Sequence, residues 1–269
     1  MGRIRPMPRI AGHQPRRRFG QNFLVDRACV RRIVDAIDPK PDDRVVEIGP
    51  GLGALTNALL ERVDHLGVIE IDRDLAARLA REHAPERLSL YTQDALRFDF
   101  SSLGSGLRIV GNLPYNISSP LLFRLLEYTA FIADIHVMLQ REVVDRMIAS
   151  PGSADYGRLT VMLGYRFRIE RLFRVPAGAF RPQPKVESAF ARLQPITAPA
   201  WHAHDEGLFA RIVALAFGQR RKTLRNTLAG LADEFLLRTC GIDPQARGET
   251  LSVEQFARLA NAVSGKIAR

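Results

Sequence analysis

The chain has 269 residues with 39 Lys+Arg against 29 Asp+Glu, a formal charge of +10, and is 46% hydrophobic and 25% charged. That composition is globular and excludes disorder except at the ends, and no apolar run approaches the ~18 residues a membrane-spanning helix needs. Two distant cysteines, Cys29 and Cys240, exclude a disulfide framework and a Cys-based zinc cluster, so a reducing compartment, the cytoplasm, is expected.

The first 20 residues hold six Arg and no acid. They lack an apolar segment and therefore read as a basic arm, expected to be disordered, and not as a secretory signal. Asp26 then caps a predicted helix whose Val30, Ile33, Val34 and Ile37 follow the i, i+3, i+4, i+7 spacing, with Pro39 and Pro41 beyond its end. Residues 44–48 read as a strand, Gly49-Pro50-Gly51-Leu52-Gly53 as a tight loop and 54–63 as a helix. A strand over 66–71, a helix over 75–82 and a strand over 88–92 follow. A fourth strand ends at Ile109 and Val110, before Asn112-Leu113-Pro114-Tyr115. Ser118 or Ser119 is expected to cap a helix over 120–128, with Pro120 suited to its first turn. A strand over 135–139 and a helix over 142–149 complete an alternation that implies βαβ units and a parallel, doubly wound sheet. Helical and strand segments continue to about Leu193, and residues 195–199 read as a linker. Helices over 208–217, 221–231, 234–237 and 253–263 close the chain. The expected organisation is an arm (1–20), a large α/β domain (21–195) and a small all-helical domain (200–269).

Charge is uneven: residues 1–40 are net +7, 41–155 net −6, 156–200 net +6 and 201–269 net +3. An acidic centre between basic flanks suggests a small-ligand site with a polyanion footprint around it.

In open α/β sheets ligands bind at the carboxyl ends of the strands. Glu47, Glu70 and Asp94 fall at or near such ends. Gly49-x-Gly51-x-x-Ala54, with Glu70 21 residues beyond Gly49, fits the dinucleotide fingerprint. A pyrophosphate, however, wants a helix N-terminus with no anion beside it. Glu47, two residues before the loop, repels pyrophosphate and suits a ligand bearing a sulfonium and an ammonium. Glu70 suits a ribose hydroxyl and Asp94 an adenine amine, so the cofactor expected is S-adenosylmethionine.

Asn112-Leu113-Pro114-Tyr115 fits chemistry at an exocyclic amine. The lone pair of adenine N6 is delocalised into the ring, and the neutral amine is too weak an acid for general-base help to be the main resource. Two acceptors that hold both N–H groups localise that lone pair. Asn112 supplies a side-chain carbonyl and Leu113 a backbone carbonyl, aimed outward because Pro114 restricts the residue before it. Tyr115 offers a stacking face. Phe180, before Arg181-Pro182-Gln183-Pro184-Lys185, reads either as a second stacking face or as a core residue. His202 and His204 lack a clear third ligand, and no metal site is expected.

With these residues in view, the chain resembles the ribosomal RNA small-subunit adenine N6,N6-dimethyltransferase family (KsgA-type). The matching stretches are Gln21-Asn22-Phe23-Leu24, 47–53, Glu70-Ile71-Asp72, Gln93-Asp94-Ala95, 111–119, 140–143, 180–188 and 217–226. The resemblance implies a Rossmann-like class I S-adenosylmethionine-dependent methyltransferase fold. It also implies transfer to N6 of two adjacent adenines in a hairpin near the 3′ end of small-subunit (16S) rRNA, within a 30S or pre-30S particle, by a monomer. The matching cofactor positions are Asn22, Leu24, Gly49, Glu70, Asp94 and Asn112, to which the loop reading adds Glu47, Gly51 and Gly53. Asn112 to Tyr115 and Phe180 match the target-adenine site. Arg16, Arg17, Arg18, Lys185, Arg220, Arg221, Lys222 and Arg225 are expected to contact RNA phosphates, the competing reading being solvated faces. A related class acting on large-subunit rRNA shares the core motifs, and Arg220-Arg221-Lys222-Thr223-Leu224-Arg225-Asn226 favours the small-subunit form.

Overall fold

A computed structural model describes Gly12, Arg16, residues 20–197 and residues 201–267. In chain order the elements are β1 (Phe23–Leu24), α1 (Arg27–Ile37), β2 (Arg44–Ile48), α2 (Ala54–Leu60), β3 (Leu66–Ile69), α3 (Arg73–Glu82) and β4 (Leu88–Tyr91). Then come β5 (Leu107–Asn112), α4 (Ser118–Leu126), β6 (Ile132–Gln140), α5 (Arg141–Met147), α6 (Arg158–Arg166), β7 (Phe167–Val175), β8 (Phe180–Arg181) and β9 (Ser188–Pro195). Four helices end the chain: α7 (Glu206–Gly218), α8 (Leu224–Thr227), α9 (Glu234–Thr239) and α10 (Val253–Ile267).

Seven strands form one sheet in the order β4-β3-β2-β5-β6-β9-β7, and β1 and β8 form a separate antiparallel pair. The parallel arrangement read from the alternation holds for β4, β3, β2, β5 and β6. It fails at β9, which runs antiparallel to β6. Ser188 lies opposite Gln140, and Arg141 N donates to Glu187 O at 2.9 Å. β9 thus starts at the end where β6 finishes, as an antiparallel neighbour does.

The central strands read as near-continuous apolar runs because helices cover both faces. Val45, Leu66, Val68 and Val110 pack with Ile33, Val34 and Ile37 of α1 and Leu55 and Leu59 of α2 in one core. Asp26 caps α1 as expected, accepting from Cys29 N at 2.9 Å. The helix ends on Asp38, whose φ of 48° is left-handed, a conformation Asp tolerates better than most residues.

Residues divide into two compact units. Asp145–Arg168 group with the residues after Pro195, and Ile169–Pro195 with the rest of the sheet. A single cut near residue 195 is therefore corrected. Tyr156, Val161 and Tyr165 share a core with Phe209, Ile212, Phe256 and Leu259, and Tyr156 Oη donates to Leu251 O at 2.7 Å. Two helical expectations also change. Only Leu224–Thr227 of the span 221–231 is helical, since Gly230 takes a φ of +85° just beyond it. No side chain caps α4: Ile117 occupies the cap position, and Ser118 Oγ instead donates back to Pro114 O at 3.1 Å.

Gly111, on β5, marks the tightest approach beside the site. A Cβ there would lie 2.6 Å from the backbone oxygen of Ile48 and 2.9 Å from Leu113 Cδ2. Gly111→Ala is expected to cost ~1–3 kcal/mol, the range for overpacking. The check is a thermal midpoint lower by several degrees, at roughly 2–4 °C per kcal/mol for a chain of this size.

Candidate active site

The parallel strands align their carboxyl ends, with Glu47 opposite Val68 of β3 and Val110 of β5. Gly49 N donates to Ile69 O at 2.9 Å and Glu70 N to Tyr91 O at 3.0 Å, extending the ladders just past the strands. The chain then turns sharply. Gly49, Gly51 and Gly53 all have positive φ, and a Cβ on Gly51 would meet the Phe23 ring at 2.9 Å. Glycine is required there both for conformation and for space.

Above these ends lies a cavity of about 310 Å³ lined by Asn22, Leu24, Glu47, Gly49, Gly51, Glu70, Asp94 and Asn112 through Tyr115, among others. Eleven of the sequence-predicted residues thus come together in one place. Gly53 does not line it; it stands at the N-terminus of α2, with Leu79 Cδ2 3.0 Å from where a Cβ would be. Lys185 is exposed and also outside the lining.

Glu47 is only 2% exposed. Its Oε2 accepts from Thr56 Oγ1 at 2.6 Å, and burial pushes its carboxyl up to about 7 against that bond. Glu70, 5% exposed, accepts from Asp72 N at 2.8 Å and Gly51 N at 3.3 Å. Burial likewise raises it to about 7. Asp94 is half-buried, and one of its oxygens accepts from Leu96 N at 2.9 Å. No Lys, Arg or His is among the lining residues. Among the described residues the cavity is therefore acidic with no counter-cation in its wall, unsuited to a pyrophosphate and fitted to a positively charged ligand.

Asn112 Nδ2 donates to Asn22 O at 2.9 Å. Donation to a carbonyl identifies the amide nitrogen, and Oδ1 keeps its acceptor capacity. Leu113 N donates to Met138 O at 3.1 Å. The turn is closed by Pro114 O, which accepts from Ile117 N and Ser118 Oγ, each at 3.1 Å. Tyr115 Oη and Ser188 Oγ are 2.9 Å apart, which anchors the half-buried Tyr115 ring beside the cavity.

Phe180 is placed elsewhere. It is 1% exposed, paired across from Leu24, and packed with Val34, Val175 and Phe190. This placement agrees with its reading as a core residue, and its ring is not among the described residues that line the cavity. Arg16, expected to contact RNA, meets two carboxylates of its own chain and keeps a third of its side chain exposed. Its guanidinium pairs with Asp72 at 2.9 Å and with Asp74, because Asp72, fully buried at the N-cap of α3, needs a partner. Arg17 and Arg18 lie outside the described residues. Arg220 pairs with Glu249 at 3.2 Å and Arg225 with Glu234 at 3.1 Å, whereas Arg221 and Lys222 are exposed. His202 Nδ1 lies 3.3 Å from Tyr165 Oη, and His204 N donates to Asn261 Oδ1 at 2.7 Å.

Three contributors escaped the sequence. Thr56 holds Glu47, Ser188 holds Tyr115, and Gln21 bridges the arm, its Oε1 accepting from Arg16 N at 2.7 Å and its Nε2 donating to Asp72 at 3.2 Å. Thr56 alone left a signal, as a polar residue on the buried face of a short helix.

A mixed sheet with this strand order and an acidic cavity beyond a glycine turn define the Rossmann-like methyltransferase class. The chain belongs to the ribosomal RNA adenine dimethylase family, whose pattern matches residues 12–264. It is 58% identical to the ribosomal RNA small subunit methyltransferase A of Aromatoleum aromaticum, over 97% of this chain and 98% of that protein. Among solved structures it is similar to the 23S rRNA methyltransferase ErmE, at 28% identity and a TM-score of 0.68, covering 90% of this chain and 100% of that one. A dimethyladenosine transferase from Plasmodium falciparum shares the fold at 24% identity and a TM-score of 0.74, covering 88% of this chain and 95% of that one.

An acid raised on folding holds more protons folded than unfolded, so between the ordinary 4.5 and about 7 stability falls as pH rises. Glu47→Gln retains an acceptor for Thr56 and removes one such group. The variant is expected to melt above the parent at pH 8, with the difference closing by pH 5. Scanning calorimetry across that range checks it.

Proposed function

We propose that the protein transfers methyl groups from S-adenosylmethionine to N6 of two adjacent adenines in a hairpin near the 3′ end of small-subunit rRNA. The substrate in this reading is a 30S or pre-30S particle in the cytoplasm, and the enzyme acts as a monomer. The observation that carries the reading is the Asn112–Asn22 bond at the rim of a cavity whose charged walls are all carboxylates. Small-subunit specificity is supported by 58% identity to a small-subunit enzyme against 28% to a 23S enzyme. Among the described residues no helix is long and apolar enough to cross a membrane.

The residues fit the donor. Glu70, held by the Gly51 and Asp72 amides, is placed to accept from ribose hydroxyls, and Asp94 from the adenine amine. Glu47, beside the glycine turn, favours the positive end. When bound, S-adenosylmethionine supplies an electrophilic methyl on a cationic sulfur. Asn112 Oδ1 and the Leu113 carbonyl accept from the two N–H groups of the target amine and turn its lone pair toward that methyl. Tyr115, its ring fixed through Ser188, stacks on the extruded base, an interaction worth ~1–3 kcal/mol. That offsets part of the few kcal/mol of unstacking. Orientation of this kind is worth up to ~7–11 kcal/mol of barrier.

Asn112→Ala is expected to reduce methyl transfer to 30S subunits by at least ~10²-fold, since the residue acts on the oriented amine, while leaving RNA affinity near that of the parent. Single-turnover transfer and filter binding check it; near-normal turnover overturns the two-acceptor reading. Mass spectrometry of the RNA product gives dimethyladenosine in small-subunit rRNA, and activity confined to 23S RNA overturns the substrate assignment.

A cationic donor binds best where the glutamates are ionised. Affinity for S-adenosylmethionine is therefore expected to rise as pH increases through about 7 and to level off above it. Calorimetric titration from pH 6 to 8.5 measures it.

A further inference from the structure

Of the C-terminal cations offered by the sequence for RNA, Arg220 and Arg225 hold carboxylates. A different set of arginines, in the sheet unit, stands without carboxylate partners. Arg27, Arg31 and Arg32 on α1, Arg174 at the end of β7 and Arg181 on β8 are all exposed. Among the described residues, none of the five has a carboxylate within ion-pair distance. Arg32 lies over the Phe173 ring, 3.9 Å from its centroid, tying α1 to β7. Val25 N and Asp26 N donate to Ala179 O at 2.9 and 3.3 Å, tying the start of α1 to the approach to β8.

The acids of this corner are occupied. Asp26 caps α1, Asp35 pairs with Arg62 at 3.0 Å, and Glu170 pairs with Arg192 at 2.6 Å. Nor does local stability explain the arginines. Arg27 opens α1, where the helix dipole disfavours a cation, and Arg31 one turn on is a like-charged i, i+4 neighbour. Charges on an exposed edge strand guard against strand pairing, which accounts for Arg174 but not for the two on the helix. An arrangement that opposes its own helix is expected where an anion is bound.

The corner also adjoins the active site. Arg181 lies opposite Phe23 in the β1–β8 pair, and Phe23 lines the cavity. We propose that this face, formed by α1 with the ends of β7 and β8, binds the sugar-phosphate backbone of the rRNA that flanks the target adenine. The inference rests on the reading of rRNA as substrate. The contacts position the RNA without reading its sequence.

The test uses the full chain with Arg27→Gln, Arg31→Gln and Arg174→Gln, singly and together, and the matching triple-Lys protein. The probes are unmethylated 30S subunits and a generic RNA duplex. Each Gln is expected to lower the slope of log affinity against log salt by roughly one. The triple-Gln variant is expected to raise KM for the particle roughly tenfold, with kcat at saturating RNA and affinity for S-adenosylmethionine unchanged and the thermal midpoint equal to or slightly above that of the parent. The triple-Lys protein should keep the parental slope. Unchanged slope and KM in the triple-Gln variant, or aggregation with normal RNA affinity, overturns the proposal. If the parent binds the duplex with a steep salt slope but does not methylate 30S subunits, the substrate reading fails while the slopes still decide the fate of this face.

Discussion

Burying Glu47 and Glu70 is the constraint on which the cavity depends. Among the described residues neither carboxylate meets a cation; each is held by hydrogen bonds from Thr56, from Gly51 N or from Asp72 N. Desolvation raises both to about 7. A ligand that brings positive charge favours their ionised forms, which gives the proposed sulfonium donor an advantage over its uncharged-sulfur by-product. The same walls repel the phosphates of a dinucleotide that the glycine pattern alone would admit.

Tertiary packing then links the arm to Asn112. Asp72 is buried because it caps α3 right after Glu70, and its charge draws in Arg16 and Gln21. Gln21 precedes Asn22, whose backbone oxygen takes the amide hydrogen of Asn112. A basic residue of the arm is thus linked, through Gln21, to a segment that lines the cavity. Positioning of this kind suits a reaction in which geometry does more than acid–base chemistry.

Positive charge is sorted by pairing as well as by position. A net charge of +10 promises a polyanion partner, but which arginines are free to meet one depends on which have found carboxylates. Arg220 and Arg225 have them; Arg221, Lys222 and the arginines of α1 are exposed. Charge runs in a sequence mark regions, and ion pairing across turns and helices selects within them.

The sequence by itself determined the alternation of strands and helices, the capped α1, the acids at the strand ends and the Asn112–Tyr115 turn. Those features are local: spacing, capping and turn chemistry act over a few residues, and a parallel sheet aligns its carboxyl ends whatever else happens. Tertiary structure decided the rest. Phe180 went to the core because the two-residue pairing of β1 with β8 sets it opposite Leu24, a register that no periodicity signals in segments so short. Residues 145–168 joined the helical unit because Tyr156, Val161 and Tyr165 find apolar partners there. The holding of Glu47 by Thr56 and of Tyr115 by Ser188, 73 residues away in the chain, likewise exists only once the elements pack. Burial and long-range pairing depend on which surfaces meet, and that information is distributed over the whole chain rather than written in any one stretch of it.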